Sequence, residues 1–289
     1  MATIAQDSDA KAALARLLDN YSAEITTRDH KSLDAAGELL RPQTRVFIAS
    51  FPKDTVEDFI RGAVKLHRAG MVAIPHIVAR NIPSRAVLDD MLARLSGEAG
   101  VDRAHVVGGD RDKPVGEYDA ALQLLETGLF EKYGINRIAL ACYPEGHPRI
   151  PDDVLEKARA EKMEVAARAG LSVWLVSQFA FESAPIVALA RRMRGQGIDV
   201  PYRVGVAGPA DRSTLLKYAM LCGVGTSLRA LKERSGLARS MAAGETPEAL
   251  LTDIALAREA EPALGIDGVH FFTFGSLMKT AKWVESIRG

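Results

Sequence analysis

A phenol, a carboxylate and an imidazole crowd into one short stretch, Tyr143-Pro144-Glu145-Gly146-His147-Pro148. It follows the apolar run Arg137-Ile138-Ala139-Leu140-Ala141, which reads as a buried strand, and its two prolines end that strand abruptly. The C-terminal edge of strands is where α/β proteins bind ligands. A Pro- and Gly-rich turn facing water has the same composition, so the other strand ends must decide between the two.

Those ends carry further polar groups. In Tyr21-Ser22-Ala23-Glu24-Ile25 a carboxylate sits inside an apolar run. Burying it ionised is costly, so it needs a partner or a raised pKa, which makes Glu24 a candidate general acid. Strand alternation leaves open whether Glu24 points inward or to solvent. A third strand is expected to end Ile74-Pro75-His76, with Arg80 and Asn81 just beyond. A fourth ends in Val107-Gly108-Gly109-Asp110, where the glycines let backbone approach a ligand or simply make a turn. A sixth delivers Ser177-Gln178-Phe179, whose amide both donates and accepts and so suits the edge of a heterocycle. The eighth gives Val269-His270-Phe271-Phe272-Thr273-Phe274, aromatics that read mostly as core.

Other chemistries lack their signatures. The six histidines form no His-Glu-x-x-His helix or His-x-His strand pair, so no metal site is expected. Gly-x-Ser-x-Gly and the phosphate-binding Gly-x-x-x-x-Gly-Lys are absent. Cys142, with its apolar flank, reads as a packed thiol, and Lys157 and Lys162 fall on a charged helix.

The elements that must position these groups alternate regularly. Strands are expected at Tyr21–Ile25, Arg45–Ala49, Val72–His76, Ala104–Val107, Arg137–Ala141, Ser172–Val176, Tyr202–Val206 and Gly268–Phe272, with amphipathic helices between them. The clearest helix has Thr55 and Asp58 as a capping box, Val56, Phe59, Ile60, Ala63 and Val64 on one face, and Gly70 as its stop. Thr246 before Pro247 and Ser276 read as two more helix starts. Eight strand–helix units in 289 residues imply a parallel sheet closed into a (β/α)8 TIM barrel, with Arg229–Glu261 adding extra helices before the last strand. The doubly wound open sheet is the alternative, weakened because no Gly-x-Gly-x-x-Gly follows the first strand. The reading is one domain over 1–289, with 1–20 as an N-terminal helical extension.

Lys and Arg together number 37, as do Asp and Glu, so the net charge is zero and a nucleic-acid or anionic-membrane partner is not expected. The first residues lack a secretory pattern and no apolar run spans a bilayer, so a cytoplasmic protein is expected. Monomer and homo-oligomer both stay open.

Taken in order, Glu24, Pro75-His76 with Arg80-Asn81, Gly108-Gly109-Asp110, Tyr118, the Tyr143–Pro148 stretch, Ala169-Gly170, Ser177-Gln178-Phe179 and Gly268-x-His270-Phe271-Phe272-Thr273 resemble methylenetetrahydrofolate reductase. The resemblance runs from about Glu24 to the C-terminus. It implies a barrel holding FAD at its strand ends, with hydride passing from NADH or NADPH to 5,10-methylenetetrahydrofolate and 5-methyltetrahydrofolate as product, in one-carbon and methionine metabolism. Under it, Glu24 is the acid that opens the folate imidazolidine ring, and Asp110 stabilises the resulting cation. Gln178, Phe179 and Phe272 contact substrate. His76, Arg80, Gly109, Asp110, Tyr118, Ala141, Tyr143, His147 and Lys162 line the cofactor.

The chain also departs from the family pattern. Ile25-Thr26-Thr27-Arg28 replaces aromatics and a Pro-Pro pair, Ala166 stands where the family has a lysine (with Lys162 one turn earlier), and Phe272 replaces a tyrosine. Ser50-Phe51-Pro52 replaces a Thr-Tyr-Gly pattern. A flavin-free reductase with direct hydride transfer, and a non-redox tetrahydrofolate enzyme such as a methyltransferase on the same barrel, are the alternatives.

Overall fold

Runs rich in Val, Ile and Ala form the strands because both faces of a parallel barrel strand are covered by other side chains. In the computed structural model, which describes residues 2–51, 53–222, 224 and 246–289, these are β1 (Tyr21–Thr26), β2 (Arg45–Ala49), β3 (Val72–Val78), β4 (Arg103–Val107), β5 (Arg137–Cys142), β6 (Ser172–Ser177), β7 (Tyr202–Ala207) and β8 (Ile266–Phe272). They close in sequence order into a barrel. Helix α1 (Ala2–Leu18) precedes β1; parallel neighbours need a crossover, and helices supply it: α2 (His30–Leu39), α3 (Val56–Arg68), α4 (Arg85–Ala99), α5 (Ala121–Leu125), α6 (Leu129–Lys132), α7 (Asp152–Arg168), α8 (Ser183–Gly195), α9 (Arg212–Leu221) and α10 (Glu248–Ala260), with α11 (Leu277–Arg288) following β8. The chain is thus a (β/α)8 barrel, and α10 is an added helix before β8. The part of the expected extra-helix region from Arg229 to 245 lies outside the described residues.

Two expectations about element ends need correction. The third strand does not end at His76. Pro75 contributes no ladder N–H, yet β3 continues because β-branched Ile77 and Val78 pair with Val106 and Val107, leaving His76 inside the strand opposite His105. Thr246 is not the cap of α10: Pro247 occupies that position and the helix starts at Glu248. The Thr55–Asp58 capping box forms as expected, Thr55 Oγ1 accepting from the Asp58 N–H and Asp58 accepting from the Thr55 N–H at 3.0 Å. Ser276 stands at the start of α11, its carbonyl accepting from the Thr280 N–H.

The chain divides into two compact units, one of Glu24–Ala141 and Asp152–Leu175, the other of Met1–Ala23, Cys142–Pro151 and Val176–Gly289. In the first, α3 packs on α4, burying Phe59, Ile60, Leu66, Leu88, Leu92 and Leu95 with the strand residues Val46, Ile48, Ile74 and Val106. In the second, α1 packs on α10 and α11. Its Leu14, Leu17 and Leu18 join Leu251, Ile254 and Val284 in the core, so the N-terminal helix is built into this unit's packing. Arg203 of β7 is buried there with both of its Nη groups paired. It donates to Asn20 O and Oδ1, both at 2.9 Å, and to Asp267 Oδ2 at 2.8 Å. Gly268 makes this possible, since a Cβ at that position would lie 2.0 Å from Asn20 O.

Candidate active site

Alternation along β1 buries Tyr21, Ala23 and Ile25, and Glu24 takes the opposite face. Its carboxyl is largely enclosed rather than turned to solvent. Oε2 lies 3.4 Å from Nε2 of His76, with 18% of the Glu24 side chain and 13% of the His76 side chain exposed. Burial pushes the Glu24 pKa up to about 8, so near neutrality the group is mainly a carboxylic acid.

The His76 ring is held on two further sides. Phe47 of β2 meets it edge-on at 6.0 Å, and His105 of β4 at 4.7 Å. His105 is buried, and its Nδ1 lies 3.1 Å from the Ala139 carbonyl. A carbonyl only accepts, so Nδ1 of His105 carries a hydrogen. His105 was not singled out from sequence. Only the β3–β4 register, which sets it opposite His76, reveals its place.

Beyond β4, Gly109 adopts φ 101°, and a Cβ there would come within 2.4 Å of Val78 Cγ1. Only glycine carries the chain past β3 at this point, and Asp110 follows as an exposed residue. Arg80 braces the loop, donating through Nε to Asp119 O at 2.9 Å and through an Nη to Arg111 O at 2.6 Å. Arg111 in turn donates to Asn81 Oδ1 at 2.7 Å. Tyr118 is buried in the same loop, and burial followed by the Glu117 charge raises its phenol pKa. Ala141 is half-buried near the end of β5, and Lys162 is half-buried on α7.

In the other unit, the stretch after β5 folds on itself. Gly146 N–H donates to Tyr143 O, and the Tyr143 and His147 rings meet edge-on at 5.0 Å. His147 Nδ1 accepts from the Arg149 N–H at 3.2 Å, which places the hydrogen of the neutral ring on Nε2. Gln178 is tied down by its own N–H, which donates to Cys142 O at 2.9 Å, while its Oε1 accepts from the Phe179 N–H at 3.0 Å. Its amide nitrogen is therefore the donor end. Phe179 is buried, with Phe272 at 5.3 Å, Phe274 at 5.4 Å and Phe181 at 5.7 Å. Phe274 has φ 49°, rare for a residue with a side chain, and stacks on Tyr218 at 4.3 Å. Sequence reading noted the phenylalanines but missed Tyr218, because a lone tyrosine on a helix gives no signal of its partner. Below Phe272, buried His270 has Nδ1 3.0 Å from Ser22 Oγ. Burial, then the Arg203 charge, lowers its pKa to about 3, which keeps the ring neutral.

Among the described residues, no group of three or more His, Cys, Asp or Glu side chains is arranged to hold a metal ion, and no helix is long and apolar enough to cross a membrane.

The architecture defines the class, a (β/α)8 barrel with polar side chains on its strands and strand ends. No protein-family model matches the chain. Among solved structures, it is similar to dihydropteroate synthase from Thermus thermophilus, at 14% identity and TM-score 0.50, with 92% of each chain covered. It is also similar to an uncharacterized protein from Clostridium thermocellum that binds two copies of 5-methyl-5,6,7,8-tetrahydrofolic acid. There the identity is 13% and the TM-score 0.53, covering 93% of this chain and 98% of that one. At such identities the likeness is one of fold.

Proposed function

We propose that the protein reduces 5,10-methylenetetrahydrofolate to 5-methyltetrahydrofolate with NADH or NADPH, using FAD. The observation that carries this reading is the Glu24 carboxyl, enclosed against His76 and protonated near neutrality. Opening the imidazolidine ring requires a proton on the departing nitrogen, and an acid with a pKa near the working pH supplies it best. Asp110, exposed after Gly109, is the carboxylate that would stabilise the cationic iminium. Gln178 offers its amide N–H to the pteridine edge. The shared fold with a tetrahydrofolate-binding barrel supports a folate as the substrate.

FAD would act as hydride carrier between nicotinamide and folate. The residues fit it in part. Gly109 offers bare backbone, Tyr143 and His147 offer half-buried rings, and Lys162 offers a cation, whereas the Arg80 guanidinium is already engaged by two loop carbonyls. Arg80 would therefore hold the loop through these two bonds while lining the cofactor.

The purified protein mixed with FAD should turn yellow, bleach with NADH or NADPH, and recover its colour when methylenetetrahydrofolate is added. A protein that takes up no FAD and oxidises neither nicotinamide in the presence of that folate would overturn the reading. The 5-methyl-tetrahydrofolate ligand of the Clostridium thermocellum barrel favours a second reading, a non-redox tetrahydrofolate enzyme. That reading predicts binding of 5-methyltetrahydrofolate with no nicotinamide oxidation at all.

A further inference from the structure

We propose that Phe274 is a gate: its ring holds a stacking place against Tyr218 and Phe272 and gives that place up to a planar aromatic ring of the ligand. The class of ligand rests on the proposed function, since the aminobenzoyl group of a tetrahydrofolate and the isoalloxazine of a flavin are both planar.

The rings already stand in a row. Tyr218 and Phe274 lie 4.3 Å apart at 19°, and Phe274 and Phe272 lie 6.3 Å apart at 27°, so Phe274 is near-parallel to both. Buried Phe179 meets Phe272 and Phe274 edge-on, at 5.3 Å and 5.4 Å. Tyr218, Phe272 and Phe274 are each half-buried, so the row reaches solvent. A planar ring standing where the Phe274 ring stands would inherit two stacking neighbours and the edge of a third.

The backbone supplies the means of yielding. Ser276 N–H donates to Thr273 O at 2.8 Å, which makes Thr273–Ser276 a turn with Phe274 and Gly275 at its centre. Their φ values are 49° and 79°, both positive, as in a type I′ turn. That turn favours Asn, Asp or Gly at its first central position, and Phe there is strained. A type II turn keeps the positive φ at Gly275 and gives Phe274 an ordinary negative φ. The sequence Phe-Gly suits that second form better. Passing to it re-aims the Phe274 side chain and withdraws the ring from Tyr218. The contacts with Tyr218, Phe272 and Phe179 thus hold the strained form, and a ligand ring that takes them over releases it.

Two measurements test the gate. Phe274→Gly removes the ring and accepts either turn. Removing the gate removes the cost of opening it, so in isothermal titration at least one of 5-methyltetrahydrofolate and riboflavin should bind the variant about tenfold more tightly than wild type. Unchanged, weaker or absent binding of both would make Phe274 a wall of the site or a packing residue and overturn the gate. Failure of the folate reading shows differently, as tighter riboflavin binding by the variant with no 5-methyltetrahydrofolate bound by either protein. In wild type, the NMR signals of the Phe274 ring should lie upfield before ligand is added, shifted by the stacked Tyr218 ring. They should move toward ordinary values on saturation with whichever ligand binds. Signals that stay upfield at saturation overturn the gate, however tight the binding.

Discussion

Replacing Glu24 with Gln removes a titration without changing the shape of the side chain, so its effect on stability reads the state of the buried carboxyl. In the folded protein the pKa is about 8, against 4.5 for an unperturbed Glu. Below pH 4.5 both folded and unfolded chains hold the proton, and the group has no effect on the folding equilibrium. Between 4.5 and 8 the unfolded chain releases it and the folded chain keeps it, so the wild type loses stability at about 1.4 kcal/mol per pH unit. Above 8 both are ionised and the loss levels off. Only 18% of the side chain is exposed, so solvent screening discounts little of this. From about pH 5 to about pH 8 the stability of wild type relative to Glu24→Gln should fall by about 3 to 4 kcal/mol. Urea unfolding of both proteins at several pH values across that range gives the difference directly. A difference constant to within about 1 kcal/mol would refute the claim that burial raises this pKa.

Asp110→Asn should lower the rate of folate reduction by about 10- to 100-fold, as expected for losing one preorganised charge opposite a developing cation, and an unchanged rate would remove that role. Gly109→Ala should destabilise the fold by about 2 kcal/mol or more through its φ of 101° and its overlap with Val78. Adding Val78→Ala should relieve the overlap but not the backbone strain, and both effects are measurable by thermal unfolding. Arg203→Met should cost about 3 kcal/mol, because Asn20 and Asp267 lose a buried partner. It should also let the His270 pKa rise above about 3, since the Arg203 charge is the second cause of its depression, and NMR titration checks this.

The strands were legible because each is a short apolar run between turn residues, and seven of the eight expected strands lie wholly inside observed ones that end within a residue of them. β3 was read short, because Pro75 looks like a stop when the partner strand is unknown. The inward set of Glu24 was legible only as a choice between two faces, which packing against His76 resolves. His105 was invisible as a site residue because its meaning comes from register across strands, a relation absent from local sequence. The engagement of Arg80 by Asp119 and Arg111 carbonyls was hidden for a similar reason, since loop conformation rather than residue type decides what a guanidinium binds.

The central claim is that Glu24 supplies the proton for reduction of a methylene group on tetrahydrofolate. Its most direct test is the formation of 5-methyltetrahydrofolate from 5,10-methylenetetrahydrofolate with FAD and NADH or NADPH, in wild type and in Glu24→Gln. The account predicts product from the wild type and a loss of about 10²-fold or more in the variant, with nicotinamide still reducing FAD. No product from the wild type with either nicotinamide, or an undiminished rate in the variant, would contradict it.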